Sequence, residues 1–151
     1  MRLELLGDAY AVARFETREE VPADLRDGRG PGRDPGRGSE GGGFVSVTRT
    51  GEELSIVAPM DLFDPERPGV TRKRGTPGRS PQIGRPQRAF RVCGTLAHEL
   101  TGVLVSLAAP LADADVPIFA VSTWDTDYVL VPESRLDDAL AALRIAGHEV
   151  E

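Results

Sequence analysis

Asp125 and Asp127 are the side chains best suited to chemistry in this 151-residue chain. They stand two apart in STWDTDYVLV, residues 122–131, between runs that read as β-strand: PIFAVS before and YVLV within. A hairpin between buried strands normally turns on Gly or Asn. This one carries Ser122, Thr123, Trp124, Asp125, Thr126 and Asp127. Two carboxylates at a strand end suit an ammonium or a guanidinium, which they bind through charge-assisted hydrogen bonds. A complementary group lies upstream, in AHELTGV, residues 97–103. The spacing of Val103, Leu104, Leu107, Ala108 and Leu111 predicts a helix there, with Thr101 as its N-cap. The N–H groups of Thr101, Gly102 and Val103 then suit an anion such as a carboxylate. Gly102 leaves that approach free of side-chain bulk. A carboxylate site beside a cation site is what a free amino acid needs. A plain turn, with Asp side chains bonded to local N–H groups, also accounts for residues 123–127. The residues alone leave both readings open.

Other chemistry is sparse. HELTG begins like a zinc-binding helix at His98 and Glu99, but the second ligand position is Gly102, and His148 is the other histidine. A zinc site needs three or four ligands at tight spacing, so no metal is expected. Cys93 lies in an apolar run beside Arg91 and reads as a buried structural thiol. GRGPGRDPGRG, inside residues 26–43, has closely spaced glycines but no strand before it, no helix after it and no GK[ST] ending, so it fails as a phosphate loop. No G-x-S-x-G elbow is present. We therefore expect no catalytic residue and no cofactor.

Charge and composition narrow the class further. The net charge is −6, yet the inserts at 26–43 and 64–88 are net positive, so the remainder is strongly acidic. That argues against a general nucleic-acid binder, which needs cationic surface. No apolar run is long enough for a membrane span, the N-terminus does not read as a signal peptide, and one cysteine cannot form an internal disulfide. A cytoplasmic protein is the expectation.

The elements that position the chemistry follow from periodicity. Residues 26–43 and 64–88 are rich in Gly, Pro and Arg and hold almost nothing apolar, so they read as flexible loops. Residues 3–15 end in AYAVARF, a strand. FVSVTRTGEELSIVAP, residues 44–59, reads as two strands around a turn at 50–52. AFRVCGTL is a strand, followed by the helix above, which Pro110 should bend or shorten. After PIFAVS and DYVLV comes SRLDDALAALRIAG. It is a helix with Ser134 as cap, Asp137 at the capping-box position, Leu136, Leu140 and Leu143 as the buried stripe, and Gly147 as its stop. HEV is a last short strand. The order β-α-β-β-α-β is the split ferredoxin-like unit, an α+β fold.

LTGVL, VPIFAVSTWDTDYVLV and the helix after it resemble an ACT domain of the CASTOR-like, aspartokinase-related subgroup found in small bacterial proteins. FVSVTRTGEELSIV resembles the partner half upstream, and YAVARF its first strand. The resemblance implies a degenerate ACT-like half at 1–62, a flexible linker at 63–88 and an ACT domain at 89–151. In the first half only EEVPADL stands where a helix would be. The resemblance further implies a regulatory module that is not an enzyme and binds an amino acid where domains pair, in a homodimer or higher homo-oligomer, with no nucleic-acid or membrane partner. Carried onto this chain, the ligand-facing positions are Leu100, Thr101, Gly102 and Val103, then Ser122, Thr123, Asp125, Thr126 and Asp127. Thr48, Thr50, Glu53 and Ser55 would face the site or a paired subunit. One of Asp125 and Asp127 is expected to hold the turn while the other faces a ligand cation. An extended chain would point both to one side, and a tight turn would break that parity. The alternative is a ligand-free dimerisation module that keeps the same fold.

Overall fold

The computed structural model describes residues 1–21, 23–26, 43–64, 81–94 and 101–151. Most of the insert at 26–43, residues 65–80 of the second insert, and His98, Glu99 and Leu100 lie outside them. The chain forms two compact units: Met1–Gly7 with Gln87–Glu151, and Asp8–Pro86. Residues 1–7, placed with the N-terminal half by sequence, thus cluster with the C-terminal one. The break falls within the first strand, β1 (Arg2–Phe15).

In the unit of residues 8–86, β1 is followed by the short helix α1 (Ala23–Arg26), which overlaps the end of the EEVPADL stretch. The strands β2 (Ser46–Arg49) and β3 (Leu54–Pro59) form the expected hairpin. Thr50 closes its turn: its N–H donates to the Glu53 carbonyl at 2.8 Å, and its Oγ1 accepts from the Glu52 and Glu53 N–H groups. β3 pairs antiparallel with β1, Phe15 opposite Leu54. The other edge of β1 takes β4 (Gln82–Ile83), with Ala13 opposite Ile83. The linker expected over 63–88 therefore gives way to strand by Gln82. Gly84 permits this, because a Cβ there would stand 2.9 Å from the Val12 carbonyl oxygen, to which the Gly84 N–H is bonded. Ala11, Ala13, Phe15, Leu25, Ile56 and Leu62 are buried in this unit's core. Tyr10 stacks on Phe44 with ring centroids 5.0 Å apart.

The C-terminal unit has β5 (Gln87–Val92), α2 (Val103–Asp113), β6 (Phe119–Ser122), β7 (Asp127–Pro132), α3 (Leu136–Ile145) and β8 (Glu149–Val150). This is the β-α-β-β-α-β order read from the sequence. One placement departs from the simple unit. The start of β1 sits between β5 and β8, giving the order β8-β1-β5-β7-β6. Cys93 N–H donates to the Arg2 carbonyl on one edge of β1, and Leu5 N–H donates to the Glu151 carbonyl on the other, each at 2.9 Å. A two-residue β8 is too short to anchor itself, and pairing with the chain start satisfies both backbones.

Phe90, Val92, Leu107, Leu111, Val129, Ala139 and Leu143 form the core of this unit, with Val103, Leu136 and Leu140 packed against it. Burying a Leu side chain contributes roughly 1.5–3 kcal/mol. Leu104, one of the apolar positions that predicted this helix, is exposed. Both expected helix caps also need correction. The N-cap position of α2 is Gly102, at φ 83°, with no side-chain cap, instead of Thr101. The N-cap position of α3 is Arg135. Ser134 lies in a 3-10 turn, Glu133–Arg135, that precedes the helix, and Asp137 thereby loses the capping-box role. That turn lets Arg135 reach the end of α2. Its Nη1 and Nη2 donate to the carbonyls of Asp115 and Ala114 at 3.1 Å, while its Nε meets Asp138 Oδ2 at 2.7 Å. A guanidinium at a helix C-terminus also complements the helix dipole.

Gly147 is the stop the sequence announced. At φ 87° its N–H bonds the Arg144 carbonyl, and the His148 N–H bonds that of Leu143, the paired pattern of a Schellman end. α2 ends the same way, with Asp115 at φ 53° in place of glycine.

Pro110 lies inside α2 without ending it. It has no N–H for the carbonyl four residues back, which belongs to Ser106. His148 fills that gap, with its Nε2 3.0 Å from the Ser106 oxygen. The imidazole is buried, so an unmet carbonyl there would forfeit about 1–3 kcal/mol. His148→Phe keeps ring volume and removes the donor, and should lower stability by about 1 kcal/mol or more. In a Pro110→Ala background residue 110 regains its N–H, and the same change should do less harm. Urea unfolding of the four proteins of this cycle measures that coupling.

Candidate functional site

The hairpin joining β6 and β7 is built by its own side chains. Ser122 pairs with Asp127 across the ladder, and Ser122 Oγ donates to Asp127 Oδ1 at 2.5 Å. Thr123 N–H and Oγ1 both donate to the Thr126 carbonyl, and Thr126 N–H returns a bond to Thr123 Oγ1. Thr126 Oγ1 then donates to the Val92 carbonyl at 2.7 Å. That last bond fixes the tip beside the end of β5, where the chain leaves for α2.

The two aspartates therefore differ. Asp127 is half-buried and holds the turn through Ser122. Asp125 is exposed, and its carboxylate has no partner among the described residues. Trp124 beside it is 78% exposed, an unusual position for an indole in a soluble turn. Ser122, Thr123, Asp125, Thr126 and Asp127 are thus brought together. On the helix side, Thr101 and Gly102 are exposed and Val103 half-buried. The first intrahelical bond runs from Ser106 N–H to the Gly102 carbonyl, so the N–H groups of Val103, Leu104 and Val105 have no acceptor inside the helix. Leu100 lies outside the described residues.

Thr48, Thr50, Glu53 and Ser55 belong to the other unit. Thr48 is an exposed β2 residue, and Thr50 and Glu53 close the β2–β3 turn. Glu53 Oε2 meets Arg14 Nε at 3.0 Å, and its Oε1 accepts from Ser55 Oγ at 2.7 Å. The Ser55 hydroxyl and then the Arg14 guanidinium hold the Glu53 carboxyl below its ordinary pKa.

Sequence reasoning missed Val92, whose contribution is a backbone carbonyl and leaves no side-chain signal. Cys93 also differs from expectation: it is half-buried and lies just past β5, before Gly94 turns the chain at φ 91°. Among the described residues no group of His, Cys, Asp and Glu could hold a metal ion, and no helix is long and apolar enough to cross a membrane.

A family model described as the ACT domain matches residues 82–144. A crystal structure of an Agobacterium tumefaciens protein is 30% identical, covers 99% of this chain and 91% of its own, and superposes with a TM-score of 0.73. The chain belongs to the ACT domain family. The Homo sapiens protein "Cytosolic arginine sensor for mTORC1 subunit 1" is 28% identical over 102 residues, which are 68% of this chain. The match spans 26% of that relative's length. The ACT fold is shared with the regulatory subunit of aspartate kinase from Thermus thermophilus, at 12% identity, 95% coverage of both chains and a TM-score of 0.57. The ACT domain here is thus homologous to part of a protein named as an arginine sensor, and it shares its fold with an aspartate kinase regulatory subunit.

Thr126→Val removes the donor to Val92 with little change in shape. It should lower stability by about 1 kcal/mol and shift the emission of Trp124 as the tip loosens. Fluorescence-detected urea unfolding reads both. Glu53 offers a pH test. Its folded pKa is depressed, so its contribution is complete above the unfolded carboxyl pKa and is lost as pH falls through the folded value. Glu53→Gln should therefore lower the melting temperature slightly at neutral pH, leave it nearly unchanged in acid, and so flatten the acid limb of the profile.

Proposed function

We propose that this chain is an amino-acid-binding regulatory module, without catalytic activity, that works in the cytoplasm through pairing of ACT domains in a homodimer or higher homo-oligomer. The observation that carries the reading is the division of labour in the hairpin. Asp127 holds the turn, while Asp125 is exposed, without a partner among the described residues, and beside an exposed indole. A carboxylate so placed can take a ligand ammonium or guanidinium, and Trp124 can cover its apolar stem. The N–H groups at the start of α2, which have no acceptor inside the helix, suit the ligand carboxylate. Leu100, Thr101, Gly102 and Val103 would line that end, and Ser122, Thr123 and Thr126 the other. Thr48, Thr50, Glu53 and Ser55 would face a paired subunit. The similarity to a protein named as an arginine sensor supports a cationic amino acid as ligand.

A thermal-shift screen of the full chain against the twenty amino acids should give at least one rise in melting temperature by mass action. No rise at millimolar concentration would sink the reading. Asp125→Asn should weaken the responding ligand by tenfold or more, on the order of one charge-assisted bond, without changing the melting temperature of the free protein.

One observation favours the second reading, a ligand-free dimerisation module. β6 is paired on one edge only among the described residues, and Ile118 and Phe119 beside that edge are 39% exposed. An open strand edge with apolar side chains is a template for strand addition. Phe119→Lys should shift sedimentation toward the monomer under either reading. Under the second, dimerisation persists with no amino-acid response at all.

A further inference from the structure

We draw no further inference here: the strongest candidate, the exposed apolar face of α2 at Leu104 and Val105, is an unpartnered helix face, and nothing in the structure shows what covers it.

Discussion

β5 is hydrogen-bonded on both edges, to the start of β1 on one side and to β7 on the other, and the C-terminal unit is arranged around that strand. Phe90 and Val92 send their side chains into the core under α2 and α3. The last carbonyl of β5, at Val92, receives Thr126 and so places the hairpin tip. β1 can hold this position because β8 bonds its other edge, through Glu149 N–H to the Met1 carbonyl and Glu151 N–H to the Leu3 carbonyl. The start of β1 and the two-residue β8 thus complete one sheet, and β8 is too short to hold its place alone.

Where local sequence breaks a rule, a distant side chain repairs it. Pro110 removes a helical donor, and His148, 38 positions onward, supplies another to the same Ser106 carbonyl. The carbonyls after α2 meet Arg135 from the turn that opens α3. These repairs tie α2 to residues following β7 and α3, so the helical layer is specified by polar contacts as well as by Leu107, Leu111 and Leu143. A buried polar group with its partner in place narrows the arrangements open to a core.

The two charged regions solve different problems. At the hairpin, Ser122, Thr123 and Thr126 consume the local donors and acceptors and leave one carboxylate over. At the end of β1, Arg14 and Ser55 hold Glu53, and Arg49 holds the carbonyls of Thr17 and Glu19. Among the described residues, the Asp125 carboxylate is legible as unpaired only after the paired groups around it have been subtracted. Exposed ion pairs such as Arg14 with Glu53 contribute little to stability.

The β-α-β-β-α-β order of the C-terminal unit, the hairpin turn at residues 50–52, the stop at Gly147 and the polar character of the 122–127 turn were all readable from residue types and spacing. Each of these is a local property: side-chain period, glycine's access to positive φ, or the absence of apolar residues. The family was legible too, in LTGVL and in VPIFAVSTWDTDYVLV. The caps were misread at Thr101 and Ser134 because a cap depends on where the chain enters the helix, and Gly102 and the 3-10 turn at Glu133–Arg135 set that entry. Only the tertiary structure decided which aspartate holds the turn, that β1 lies between β5 and β8, and that His148 serves Ser106. Those are pairings between residues far apart in the chain, which no periodicity records. A hydrogen bond is chosen by which groups remain unsatisfied once the backbone has closed.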